Sequence, residues 1–193
     1  MKPLAEIREL EQKFLRAWSR FCDFYKEYGA HKYGLEGLWG PYVREERDIV
    51  FHLARFCLKE LGLGFVHLDS PITGFWFENF KSKKHYIDID ITDPETFCTR
   101  NTPHGIFVEV KWIYKDITKV PRGRLFLRRR IEGIEKDCMK LQGHVENNRC
   151  KIAYMCIIDD EHYISDEQLR SLERKYPAVK FLILKPKTLT PSG

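Results

Sequence analysis

Glu109 and Lys111 stand two apart in Phe107-Val108-Glu109-Val110-Lys111-Trp112, and in an extended strand residues two apart project from the same face. A second carboxylate, Asp88, lies in Ile87-Asp88-Ile89, on the face opposite a row of isoleucines. If these strands are neighbours in register, two carboxylates and one ammonium converge. Carboxylates held close together repel, and a hard divalent cation such as Mg²⁺ relieves the repulsion while keeping several of its own waters. Such an ion lowers the pKa of a bound water and neutralises charge on a phosphate oxygen, while a neighbouring lysine orients the water or stabilises the transition state. The competing account is a solvated sheet face, with Lys111 paired across to Asp88 or Asp90.

Two further groups of residues bear on the choice. In a helix running to Leu61, Ile49, Val50, Leu53, Cys57 and Leu61 face the core, and Glu46 falls four before Val50 and seven before Leu53, on the same stripe. An ionised glutamate there is costly unless it meets a cation or donors. Alternatively, Glu46 sits in the first turn, where the helix dipole favours a carboxylate that still reaches solvent. The second group is the basic run Lys119, Arg122, Arg124, Arg128, Arg129 and Arg130, which leads into the helix after the Glu109 strand. Guanidinium groups suit phosphate contacts, whereas cations at a helix N-terminus oppose its dipole, so the helix alone gives no reason for them.

The elements that must position these residues follow from periodicity. Leu4, Ile7, Leu10, Phe14, Trp18, Phe21 and Tyr25 recur at spacings of three and four, predicting a helix over about 4–28 whose apolar stripe packs on its own domain, forms a dimer seam or serves as a lid. Gly29 to Pro41 reads as a linker, and a helix from about Val43 to Leu61 stops before Gly62 and Gly64. A strand near Phe65 to Leu68 precedes an irregular aromatic stretch, Gly74 to Phe80. His85 to Ile91 alternates strictly, with Ile87, Ile89 and Ile91 on one face and Asp88 and Asp90 on the other, and Asp93-Pro94 provides a turn. Ile106 to Ile113 is the next strand. A helix from about Leu127 to Gln142 carries Ile131, Ile134, Cys138 and Leu141 on one stripe, and Lys151 to Ile158 is a largely apolar strand of the kind covered on both faces. Ser165 and Gln168 form a capping-box signature for a helix to Tyr176, and Val179 to Leu184 is a final strand. This order implies an α/β domain with a mixed central sheet, helices on both faces and at least one right-handed crossover.

Composition sets the outer limits. A chain of 193 residues is expected to form one domain, 1–193, with residues 1–40 as a helical extension and linker and 43–185 as the core. No window approaches the ~18 consecutive apolar residues of a membrane span, and Glu6, Glu9 and Glu11 interrupt the apolar run that a signal peptide needs, so no membrane partner and no export are expected. Six cysteines without a CxxC pair fit a reduced, cytoplasmic setting and argue against a structural zinc site. The net charge of +5 and pI near 8.8 are compatible with a polyanionic partner and equally with an ordinary soluble protein.

A helix bearing Glu46 in Glu45-Glu46-Arg47-Asp48-Ile49-Val50, a strand with Ile87-Asp88-Ile89, a strand with Glu109-Val110-Lys111, then helix and strand, resembles the PD-(D/E)xK nuclease superfamily over about residues 43 to 160. The resemblance implies a restriction-endonuclease-like core with an N-terminal helical extension, and an Mg²⁺-dependent enzyme, with Mn²⁺ as a substitute, that hydrolyses DNA. It further implies Asp88 and Glu109 as metal ligands, the Val110 carbonyl as another, Lys111 as the catalytic lysine and Glu46 as the helical acidic residue found in many members. Ile87 stands where the motif's name has proline. Asp90 shares a face with Asp88 and competes for its role; Asp88 is preferred because the family pattern is an aspartate followed by alternating apolar residues. Asp137, Lys140 and Gln142 are candidates for the polar residue that family helices carry near the site, and Arg122, Arg124, Arg128, Arg129 and Arg130 are expected to contact DNA. Rival readings are a nucleic-acid-binding module of the same fold without catalysis, and an interaction protein that dimerises through the N-terminal aromatic helix.

Overall fold

The alternating isoleucines of 87–91 and the apolar run after Pro103 form adjacent strands, and a five-stranded sheet grows on both sides of them. The computed structural model describes residues 4–29, 46–73, 84–98, 102–114 and 122–186. The linker beyond Gly29, the expected helix start at Val43, the aromatic stretch Gly74 to Phe80 and Lys119 lie outside these residues. Along the chain come α1 (Leu4–Phe24) with a π-helical turn at Tyr25–Gly29, α2 (Glu46–Leu61), β1 (Val66–Thr73), β2 (Lys84–Ile91), the short α3 (Pro94–Phe97), β3 (His104–Ile113), α4 (Gly123–Glu146), β4 (Cys150–Asp159), α5 (Asp166–Lys175) and β5 (Val179–Leu184). The sheet runs β1-β2-β3-β4-β5, antiparallel over its first three strands and parallel from β3 to β5. It is the mixed α/β sheet that the element order implies.

Local chemistry sets several of the boundaries. At α5, Ser165 Oγ accepts from the Gln168 N–H at 3.1 Å and the Gln168 side chain accepts from the Ser165 N–H at 2.8 Å, the reciprocal capping box that the sequence anticipates. The Asp93-Pro94 pair, expected as a turn, goes further and starts α3: Asp93 accepts from the Thr96 N–H at 3.0 Å, and Pro94 takes the first helical position, where its missing N–H costs nothing. At Gly105 a Cβ would collide with the Ile91 carbonyl, so glycine permits the close approach of β2 to the start of β3.

The sheet has a core on each face. α1 and α2 cover one, where Phe14, Phe21, Ile49, Leu53 and Cys57 meet Ile89, Ile91, Val108, Val110 and Cys156. α4 and α5 cover the other, where Ile134, Cys138, Leu141 and Leu172 meet Phe107, Ile113, Met155 and Ile157. Ile87, expected to share a face with Ile89 and Ile91, joins this second core, at the end of β2 that has left the β3 ladder. All six cysteines are free thiols, four of them buried; burial pushes Cys57 and Cys138 up to about 12, the behaviour of inert packing groups. No helix among the described residues is long and apolar enough to cross a membrane.

The aromatic stripe of α1 packs on its own sheet: Phe14, Ala17, Phe21 and Tyr25 have no exposed surface. Of the three roles open to this stripe, it is packing on its own domain that these residues show. Polar contacts lock the register of that packing. The Tyr25 hydroxyl donates to Asp160 at 2.9 Å and accepts from the Trp112 indole N–H at 3.0 Å, joining the end of α1 to β3 and to the turn after β4. Half-way along, Glu11 accepts from the Tyr154 hydroxyl at 2.6 Å and pairs with Lys180.

Candidate active site

Antiparallel pairing of β2 with β3 runs through Ile91↔Ile106, Asp90↔Phe107 and Ile89↔Val108 and then stops, while β3 stays paired with β4 as far as Ile113. Asp88 and Glu109 are therefore the first residues past the last pair, at the mouth of an opening between the two strands. The Val110 N–H, no longer matched to the β2 backbone, donates instead to Asp88 Oδ2 at 2.8 Å. Burial raises the Asp88 carboxyl above its ordinary range, against the pull of that N–H, Lys111 and Lys140, with Glu46 pushing it further up.

Glu109 is only 3 % exposed, beneath α4. Its Oε1 lies 2.5 Å from Lys140 Nζ. Burial pushes Glu109 well above the usual carboxylate range; Lys140 opposes the rise, and the charges of Asp88 and Asp137 add to it. Lys140 also reaches Asp137 Oδ1 at 3.4 Å and donates to the Tyr86 carbonyl at 3.0 Å.

Lys111 projects from the same face of β3 as Glu109, its stem passing Gly133 of α4. Its Nζ sits 2.8 Å from Asp137 Oδ2 and 3.3 Å from Glu46 Oε1. Burial works against the ammonium, but Asp137 and Glu46 outweigh it and raise Lys111 above the ordinary lysine range. Neither Asp88 nor Asp90 is its ion-pair partner, so the cross-strand pairing that competes with a chemical role is not what holds it. Glu46 combines both of its sequence readings: it occupies the first turn of α2, and it is partly buried among donors. Its Oε2 accepts from the Trp112 N–H at 3.1 Å and from Arg130 at 2.5 Å.

Helix α4 closes the site. Arg130, Gly133, Asp137 and Lys140 succeed one another at spacings of three and four, so one stripe of the helix faces Glu46, Lys111 and Glu109 in turn. Of the three polar candidates on this helix, Asp137 and Lys140 enter the site and Gln142 does not; its side chain accepts from the Ala178 N–H at 3.2 Å and donates to Glu146 at 2.7 Å. Arg130 departs from the basic run to pair with Glu46. Arg128 pairs with Glu132 at 2.8 Å, Arg122 stands at the N-cap, and Arg124 and Arg129 are exposed, with no ion-pair partner among the described residues. Asp90, the rival of Asp88, is fully buried and engaged elsewhere: Thr92 Oγ1 donates to it at 2.5 Å, and His104 Nδ1 lies 2.5 Å from its other oxygen. The regular spacing along α4 is the sequence signal that would have linked Arg130, Asp137 and Lys140.

Among the described residues no group of three or more His, Cys, Asp and Glu side chains forms a metal-holding cluster. Asp88 and Glu109 are a pair. A hard divalent cation that keeps most of its waters needs only one or two carboxylates, and the repulsion that Asp88 adds at Glu109 is what such a cation would relieve. Asp88 and Glu109 are the residues that would hold such an ion. No family model, curated protein or solved structure matches the chain. The likeness to PD-(D/E)xK nucleases accordingly rests on the residues and their order.

Proposed function

We propose that the chain is a metal-dependent nuclease, built on a restriction-endonuclease-like core, that hydrolyses phosphodiester bonds of DNA. The observation that carries this reading is the opening between β2 and β3, where Asp88 turns onto the Val110 N–H and Glu109 lies buried beside two lysines. A residue's N–H and C=O point to the same edge of a strand, so the Val110 carbonyl borders that opening as well. Asp88, Glu109 and this carbonyl would hold Mg²⁺. When bound, the ion supplies Lewis-acid activation of water and charge neutralisation at the phosphate.

The chain's own residues do the rest. Lys111, clamped between Asp137 and Glu46, is a fixed cation able to donate hydrogen bonds to a phosphate oxygen or to an attacking water, a preorganised role of the kind that stabilises developing charge. Glu46 also ties the backbone after Lys111, through the Trp112 N–H, to α2. Lys140 neutralises Glu109 in the chain alone, since a buried carboxylate without a partner is costly. With every group ionised, the four carboxylates Glu46, Asp88, Glu109 and Asp137 outnumber the cations Lys111, Arg130 and Lys140 by one charge. A divalent ion would reverse that balance to one positive charge, complementary to a single phosphodiester.

Plasmid nicking with and without Mg²⁺, repeated with Lys111→Met, tests the reading. Methionine keeps most of the apolar length and removes the charge. The expected result is Mg²⁺-dependent nicking by the parent and a loss on the order of a hundredfold or more in the variant, as removal of one transition-state donor produces. DNA binding without nicking under any metal would replace the nuclease by a binding module of the same fold.

A further inference from the structure

Lys111 also lines a cleft of about 460 Å³ whose other walls, among the described residues, are Tyr114, Phe126, Arg129, Arg130 and Gly133. That size falls in the ~300–1,000 Å³ range of sites for small ligands. Phe126, Arg130 and Gly133 follow one another at spacings of four and three, with Arg129 beside them, so the cleft continues along α4 the stripe that ends at Asp137 and Lys140. Its chemistry is mixed in a particular way. Phe126 is a large apolar side chain left 40 % exposed beside two guanidinium groups, and Arg129 has no ion-pair partner among the described residues. Tyr114 comes directly after the strand that carries Glu109 and Lys111, its ring 5.4 Å from that of Trp112. Gly133 lines the cleft beside Lys111, and a Cβ there would rest in ordinary contact with the Lys111 stem at 3.6 Å.

Aromatic walls with cations at their edge complement a ligand that has a flat π-face and a negative charge, and a nucleotide has both. In a continuous duplex each base face is covered by its neighbours, so Phe126 and Tyr114 could stack only on a base out of the stack. We propose that this cleft receives an unpaired base next to the phosphate at Lys111, which makes the preferred substrate single-stranded or frayed DNA. Arg129 contacts the backbone of that nucleotide, and Arg130, already tied to Glu46, forms the side of the cleft nearest Lys111. The proposal deepens the nuclease reading, on which it rests for the fate of the strand and not for the binding of the base.

Fluorescence anisotropy of a labelled oligonucleotide in EDTA, where no cleavage occurs, tests it with the full-length chain. The probes are a single strand, the same strand with consecutive abasic residues, and a blunt duplex of equal length. The parent is expected to bind the intact single strand more tightly than either of the others. Phe126→Ala should lower single-strand affinity by about 5- to 100-fold, the range for loss of one base–aromatic contact, and leave duplex affinity unchanged. Phe126→Trp should restore single-strand binding, which separates lost stacking from damage to α4. Parent-like single-strand binding by Phe126→Ala, equal losses on all three probes, or no binding of any probe by the parent would overturn the proposal. Cleavage of the labelled single strand with Mg²⁺ keeps the two readings apart. Lys111-dependent cleavage without a Phe126 effect on binding removes the cleft and keeps the nuclease, whereas Phe126-dependent binding without cleavage does the reverse.

Discussion

The Val110 N–H donates to the Asp88 side chain at 2.8 Å, with Asp88 one residue and Val110 two residues beyond the last backbone pair between β2 and β3. The bond makes Asp88 part of β3's surroundings, while Asp90, two residues along the same strand, closes on Thr92 and His104. The two aspartates should therefore fail in opposite ways. Asp88→Ala and Glu109→Ala should fold and lose Mn²⁺ binding by calorimetry. Asp90→Ala takes this partner from the buried Thr92 hydroxyl and the partly buried His104, so it should lower unfolding stability by about 2–3 kcal/mol while the folded fraction still binds Mn²⁺. Loss of metal binding in folded Asp90→Ala alone would transfer the ligand role to Asp90.

The basic run should divide by partner. Arg124 and Arg129 are exposed and without ion-pair partners among the described residues, whereas Arg130 is held by Glu46. Replacing Arg124 and Arg129 by alanine should flatten the dependence of DNA affinity on salt, each lost phosphate contact reducing the log–log slope by about one unit. An unchanged slope would leave these arginines as surface charge. Arg130→Ala should act mainly on nicking rate, because it frees Glu46 to move from Lys111.

Tyr25 tests how the N-terminal helix is held. Its hydroxyl accepts from Trp112 and donates to Asp160 in a buried setting, so Tyr25→Phe removes one member and leaves Asp160 to Trp112, a contact of 3.1 Å. Urea unfolding should show a loss of about 1–2 kcal/mol with an unchanged slope. Stability equal to the parent would mean that the apolar stripe alone holds α1.

Glu11 adds a pH dependence to the same docking. Burial tends to raise its carboxyl, but the hydrogen bonds from Lys180 and Tyr154 prevail and the folded-state pKa lies below the ordinary value. A group depressed in the folded state stabilises above its unfolded pKa, and the contribution fades as pH falls through the folded value. Parent and Glu11→Gln should differ at pH 7 by no more than about 1 kcal/mol, because the group is partly solvated, and the difference should shrink as pH drops below about 4. A gap that widens in acid would reverse the assignment.

Much of the scaffold was legible in the residues alone. The alternation that marks 87–91 as a strand, though Ile87 leaves the face of Ile89 and Ile91, the spacings of three and four in α1 and α2, and the Ser165–Gln168 pair are consequences of local geometry, since strand and helix periods act on neighbours in the chain. The same reasoning placed Glu109 and Lys111 on one face of β3, because two residues always return to the same side of a strand. Asp88 and Asp90 share a strand parity, however, and no local rule tells them apart. Only the point at which the β2–β3 ladder ends separates them, and a ladder's end depends on how two distant segments twist against each other. The partners of Lys111 were hidden for the same reason. Glu46 is 65 residues before it, and Glu46 and Arg130 are 84 apart, so their meeting depends on α2 and α4 packing on opposite faces of one sheet near the same edge of β3. Helical spacing reveals which residues of α4 share a stripe. What that stripe faces was decided by the tertiary structure, which turned Asp137 and Lys140 toward the two strand residues and Gln142 away from them.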